Sequence, residues 1–233
     1  MSATPLQPFG PEIWLADGTQ AQVAGFHYPT RAAVVRLSGG GLLIWSPVAL
    51  SPALREAVDA LGLVRWLVAP NSLHHLFVAE WRAAYPQAQF LAAPGLAERR
   101  RDLAIDVELA AMPPPDWAAD LDLAPVLGNR ITTEVVFFHR PSGTVLFTDL
   151  LQQFPKGWFR GWRALVARLD LMSEAEPAVP RKFRVAQADR AAGKASLARI
   201  LAWPCEKVVM AHGTPVERNG RAFLARAFRW LTG

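Results

Sequence analysis

The chain has 233 residues, 52% of them hydrophobic and 19% charged, which is enough apolar material for a buried core and excludes disorder, collagen and coiled coil. Its single cysteine, Cys205, excludes an intrachain disulfide framework and a CxxC metal site. The net charge of +5 comes mostly from dispersed arginines, and the densest clusters, Arg99-Arg100-Arg101 and Arg181-Lys182 with Arg184, are too short for a nucleic-acid tail, so nucleic acid is not expected as a partner.

No apolar run approaches about 18 residues, and residues 1–17 carry Pro5, Pro8 and Pro11 with no basic segment before an apolar one. A cytoplasmic protein is the resulting expectation. Residues 12–16, 31–37 and 41–46 read as strands, the last two joined at Gly39-Gly40. Ser51 then reads as a helix N-cap with Pro52 at the first helical position and Leu54, Val58 and Leu61 at helical spacing.

Strand and helix alternate from there: strand 64–69, helix 76–85, strand 89–92 and a short helix over 94–101. A proline-rich connection at 112–116 leads to strands 134–139 and 144–148, which turn at Pro141-Ser142-Gly143. Helices are predicted over 158–169, 189–203 and 221–231, with a strand at 207–211 before His212-Gly213. With no Ser/Gly-rich linker between the halves, residues 1–233 are expected to form one domain. Two β-rich runs, each followed by helices, predict an α/β fold, a four-layer αββα sandwich with helices outside two central sheets.

Three predicted strands end in a His or an Asp. His74 and His75 follow strand 64–69, Asp149 follows strand 144–148, and His212 follows strand 207–211. Strand ends are where loops converge and present ligands, and imidazole and carboxylate suit Zn, Fe or Mn. A helix-terminal His pair and a capping Asp are the structural alternatives. His27 and His139 read as structural or surface residues.

At these residues the sequence resembles the metallo-β-lactamase-like hydrolases, and in detail a poorly characterised branch known only as a domain of unknown function. The resemblance is carried by Leu42-Leu43-Ile44-Trp45-Ser46-Pro47, by Ala69-Pro70-Asn71-Ser72-Leu73-His74-His75-Leu76, by Thr133-Glu134-Val135-Val136-Phe137, by Leu146-Phe147-Thr148-Asp149-Leu150 and by Met210-Ala211-His212-Gly213. On the family's T-H-x-H-x-D-H pattern, Pro70 and Ser72 stand at the first two His positions, His74 at the Asp and His75 at the last His. Residues 128–133 contain no histidine. The resemblance therefore implies that the first metal of the family has lost its protein ligands, while the second keeps four candidates, His74, His75, Asp149 and His212.

The resemblance further implies a metal-dependent hydrolase with one Zn or Fe ion, which would activate water against a small-molecule substrate. Asp149 and Glu134 are the catalytic candidates, Glu134 as a further ligand or general base. A salt bridge from Glu134 to Arg130 or Arg140 is the alternative. A noncatalytic binding protein that keeps the fold is the other functional reading. Trp158, Phe159 and Trp162 among Lys156, Arg160 and Arg163 predict a segment bordering the site mouth as core, lid or peripheral membrane contact through 156–163.

Overall fold

A computed structural model describes residues 5–233. In chain order its elements are β1 (Gln7–Gly10), β2 (Ile13–Asp17), β3 (Ala21–Val23), β4 (Phe26–Tyr28), β5 (Arg31–Arg36), β6 (Leu42–Trp45), α1 (Pro52–Asp59), β7 (Val64–Ala69), α2 (Val78–Ala84), β8 (Gln89–Ala92), α3 (Leu96–Arg99) and β9 (Val107–Glu108). A 3-10 turn at Pro115–Trp117 leads into β10 (Leu121–Val126), β11 (Glu134–His139), β12 (Thr144–Gln152), α4 (Trp162–Leu169), α5 (Arg181–Ala186), α6 (Arg190–Ala202), β13 (Lys207–His212), α7 (Gly220–Ala227) and α8 (Arg229–Thr232). One sheet has the order β1-β2-β5-β6-β7-β8-β9, the second β10-β11-β12-β13, and β3 and β4 form a separate hairpin. No helix among the described residues is long and apolar enough to cross a membrane.

Strand periodicity produces the layers. Successive side chains point to opposite faces, so a strand buried on both sides must be apolar at every position. In β6, Leu43 and Trp45 face the second sheet while Leu42 and Ile44 face outward with Leu54 and Val58 of α1 and Trp81 of α2. In β11, Val135 and Phe137 face the first sheet while Val136 and Phe138 face outward with Leu197 and Ile200 of α6 and Leu224 of α7. The architecture is thus helices, sheet, sheet, helices, the expected αββα sandwich. Ser51 caps α1, its hydroxyl accepting the Leu54 N–H at 3.2 Å, and Asp189 caps α6 in the same way through Ala192 N–H at 2.9 Å.

Two strands were not readable because each contains a proline. Pro8 lies in β1 and Pro125 in β10, and both are edge strands, where a missing N–H costs no ladder bond. The β3–β4 hairpin turns through Ala24 and Gly25, both at positive φ, and alanine is a rare first residue for that turn. The predicted helix over 158–169 begins only at Trp162, after Gly157 and Gly161 at positive φ. The predicted C-terminal helix is two, α7 and α8.

His139 lies in the second sheet as a fully buried residue. Its Nδ1–H donates to Ser142 Oγ at 2.8 Å, whose hydroxyl donates on to Thr144 Oγ1 at 2.8 Å, and Nε2 has no hydrogen-bond partner. Burial pushes its pKa from 6.5 down to about 4, against the opposing pull of Asp120 and Glu12. A depressed folded-state pKa means the unfolded chain protonates first on acidification, so stability present above about pH 6.5 is lost as pH falls toward 4. Between pH 7 and 4.5 the wild type is expected to lose about 2 to 3 kcal/mol more than His139→Phe, measured as urea unfolding free energies of both proteins at the two pH values.

Candidate metal centre

His74, Asp149 and His212 each present a ligand atom, and these atoms all lie within 4.8 Å of one another. His74 Nε2 is 3.3 Å from Asp149 Oδ2, and His212 Nε2 is 3.5 Å from Asp149 Oδ1. The two imidazole rings are 5.0 Å apart between centroids. Side-chain exposures of 11%, 8% and 7% place the cluster almost out of water. The far nitrogen of each ring is occupied: His212 Nδ1–H donates to the Pro29 carbonyl at 2.6 Å, and His74 Nδ1 hydrogen-bonds Ser46 Oγ at 2.8 Å. Both Nε2 atoms are therefore turned toward the carboxylate, which is how second partners fix ligating histidines.

Burial pushes the His74 pKa below the ordinary imidazole value, more than Asp149 raises it, so the ring is held in the neutral form that ligates. Burial by itself would raise Asp149, but His74 and His212 beside it hold its carboxyl well below the usual range. Asn71 Nδ2 donates to Asp149 Oδ2 at 2.8 Å and to Thr148 Oγ1 at 2.8 Å, and Gln152 Nε2 donates to Asp149 Oδ1 at 3.1 Å. The product is an ionised acceptor held by one amide donor on each oxygen, each oxygen keeping a lone pair on the side of the histidines.

Each residue is positioned by its strand. After β7, Asn71 Oδ1 accepts the N–H groups of Leu73 (2.8 Å) and His74 (3.0 Å), an Asx turn that folds His74 back over the sheet. Asp149 does not end its strand. It lies inside β12 at an irregularity, where pairing with β13 jumps from Phe147↔Met210 to Gln152↔His212. Such bulges re-aim side chains beside sites. His212 is the last residue of β13.

Glu134 and His75 are placed differently from their predicted roles. Glu134 is buried, and its carboxylate accepts the backbone N–H groups of Thr148 (2.7 Å), Asp149 (2.8 Å) and Leu150 (3.0 Å). Burial and the neighbouring Asp149 charge push its pKa up to about 7, with the amide donors acting in the opposite sense. It braces the bulge and pairs with neither Arg130 nor Arg140, and its oxygens are turned to backbone amides. His75 lies outside the cluster because the Asx turn directs consecutive side chains apart, and its Nδ1 sits 2.8 Å from an Arg100 guanidinium nitrogen. At the other motif positions, the Pro70 carbonyl accepts the Val135 N–H and Ser72 Oγ hydrogen-bonds Thr132 Oγ1 at 3.0 Å.

The β3–β4 hairpin borders this centre. Tyr28 meets His212 edge-on at 5.3 Å and Phe154 at 5.5 Å, while Phe26 packs on Phe159 at 5.2 Å. Trp158 Nε1–H donates to the His27 carbonyl at 2.8 Å. The segment after β12 borders the cluster at its start, where the Gln153 N–H donates to the His212 carbonyl at 2.9 Å, and its Trp158 and Phe159 reach it through the hairpin. Asn71, Gln152 and Tyr28 were missed in the sequence; for Asn71 the signal was present, an Asx-turn residue directly after a strand and proline.

The family model described as "Domain of unknown function (DUF4336)" matches residues 11–161, well over half of the chain. The chain belongs to this family. No curated protein sequence matches it. Among solved structures, the DUF4336 chain is similar to a metallo-beta-lactamase from Pontibacter korlensis at 13% identity and a TM-score of 0.64, covering 98% of each chain. It is also similar to the metal-soaked Flv1 flavodiiron core from Synechocystis sp. PCC6803, at 14% identity and TM-score 0.66 over 97% of this chain and 60% of that one. A third similar structure is the metallo-beta-lactamase FIM-1 from Pseudomonas aeruginosa in its mono-zinc form, at 13% identity and TM-score 0.61 over 96% and 94% of the two chains. These likenesses establish a metallo-β-lactamase-like fold for a chain whose family has no assigned function.

Asn71→Ala removes two donors to the carboxylate end of the site and the acceptor that shapes the turn. It is expected to cost about 2 to 4 kcal/mol in chemical denaturation, since it leaves buried groups unsatisfied. His75→Ala, which touches none of these bonds, is expected to stay within about 1 kcal/mol of wild type.

Proposed function

We propose that this chain holds one divalent transition metal, Zn or Fe, on His74, Asp149 and His212, and that it is a metal-dependent hydrolase of a small-molecule substrate. The donor set carries the reading. Two imidazoles and a carboxylate are donors that Zn and Fe accept; one ligand atom from each of the three residues lies within 4.8 Å of the others, and each imidazole Nε2 faces its own Asp149 oxygen at 3.3 Å or 3.5 Å. The names of the similar structures, a mono-zinc metallo-beta-lactamase and a flavodiiron core, agree with that choice of ions.

When bound, such an ion supplies Lewis acidity for a substrate oxygen and acidifies a coordinated water. The chain supplies the rest. Pro29 and Ser46 orient the imidazoles, Asn71 and Gln152 hold the carboxylate, and Tyr28 and Phe154 keep bulk water from one side. A single ion is favoured because Pro70 and Ser72 stand where the family's other ion is held, and proline brings no donor side chain. An open surface hollow of about 400 Å³ lined by Ser72, Arg99, Arg130, Thr132 and Thr133 lies on the Ser72 side of the loop, and none of His74, Asp149 or His212 lines it. The second reading, a noncatalytic binding protein, is favoured by how nearly the cluster is shut off from solvent.

Elemental analysis of protein purified without a metal-affinity tag separates these readings. About one equivalent of Zn or Fe is expected, with most of it lost in His74→Ala and in His212→Ala, retained in His75→Ala, and bound about 10- to 100-fold more weakly in Gln152→Ala. Two equivalents would overturn the single-ion reading. None after reconstitution would leave the noncatalytic one. Loaded wild type is expected to turn over at least one member of a chromogenic ester, amide and phosphodiester panel, and His74→Ala none.

A further inference from the structure

Helix α4 rests on the protein through one buried residue, Ala167, and turns its apolar side outward. Trp162, Leu165, Val166 and Leu169 are 59%, 59%, 41% and 54% exposed. They recur at i, i+3, i+4 and i+7, so they form one stripe along the helix. A surface helix ordinarily turns such a stripe to the core; here it faces water.

The charge around the stripe has one sign. Lys156, Arg160 and Arg168 are exposed, Arg163 stacks on Trp162 with its guanidinium carbon 4.7 Å from the ring centroid, and α4 contains no acidic residue. The acid that follows, Asp170, is already paired with Lys182 at 3.3 Å. We propose that α4 and the turn before it dock on an anionic lipid surface, with the four apolar side chains at the acyl boundary and the four bases at the headgroup phosphates. An apolar stripe alone would fit a second copy of the chain equally well. A two-fold contact through α4, however, would bring the same four bases against their own images with no acid to meet them. Contact would be peripheral, since no described helix can span a bilayer.

The docking face is joined to the metal cluster. Arg163 Nε–H donates to the Gly25 carbonyl at 2.7 Å and Phe26 meets Trp162 edge-on at 5.6 Å, which ties α4 to the hairpin whose Tyr28 covers His212. A membrane held at α4 would lie against the element that borders the site.

Co-sedimentation of the full chain with vesicles tests this, using phosphatidylcholine alone and phosphatidylcholine mixed with phosphatidylglycerol. Binding is expected to the mixed vesicles only and to weaken as salt is raised. The double variant Leu165→Ser/Leu169→Ser, and separately Arg160→Glu/Arg168→Glu, should each lower the bound fraction about tenfold with the melting temperature unchanged, because all four side chains are exposed. No binding by wild type, equal binding to neutral vesicles, or full binding by the variants would overturn the proposal. So would a dimer seen by light scattering that Leu165→Ser/Leu169→Ser dissolves, which would assign the stripe to a second copy.

Discussion

The candidate centre depends on a buried carboxylate used as a strand partner. β11 and β12 pair only from Phe137↔Leu146 to His139↔Thr144. Beyond Leu146 the two strands separate, and the amides of residues 148–150 would be left without acceptors in the interior. Glu134, the first residue of β11, reaches across and takes all three. An ionised oxygen accepting amide bonds is stronger than a neutral carbonyl, which offsets its burial. Because those three donors converge on one carboxylate, the backbone at Asp149 is held in the bulge that aims its side chain at the histidines. Burial and Asp149 outweigh the amides in their effect on Glu134 and raise its pKa to about 7, so what the group contributes to the architecture is its geometry as a triple acceptor.

From that brace the site extends across both sheets. His74 comes from a loop of the first sheet, and Asp149 and His212 come from the second. Arg31, at the start of β5 in the first sheet, donates to the carbonyls of Met210 (3.0 Å) and Gly213 (2.5 Å), on either side of His212, and its Nε–H meets Asp17 at 2.7 Å. With the Pro29 carbonyl on His212 Nδ1, this places residues 29–31 as the clamp that sets His212 against β12. The sandwich core between the sheets fixes their separation, and these few polar bonds fix the register of the ligands upon it.

The same physics determines how far the sequence could be read. Strands β7, β8 and β11 and the cap of α1 were legible because their signals are local: continuous apolar runs and a Ser-Pro start. The prolines of β1 and β10 hid those strands, since edge position is a property of the sheet and not of the segment. Among the site residues, strand ends drew attention to His74, Asp149 and His212. The choice between His74 and His75 was not local, because it depends on an Asx turn made by Asn71. Glu134 was legible as important, but its partners were not, because they are backbone amides, which carry no residue-type signal.

The residues Pro70 and Ser72, in the loop after β7, have polar partners of their own. The Pro70 carbonyl is used by Val135, so the residue extends the contact between the two sheets. Ser72 and Thr132 bond to each other through their hydroxyls, the Ser72 N–H donates to the same Thr132 oxygen at 3.1 Å, and Arg99 reaches Ser72 Oγ at 3.4 Å. A histidine introduced at 72 would have to displace this network from a buried position before it could ligate anything. The polar groups on this side of the loop satisfy one another, whereas those on the other side direct two imidazole nitrogens and a carboxylate toward a common point. The two sides of the loop thus differ in kind: one is a closed network of hydroxyls, an amide and a guanidinium, the other a convergence of two imidazoles and a carboxylate that could hold an ion.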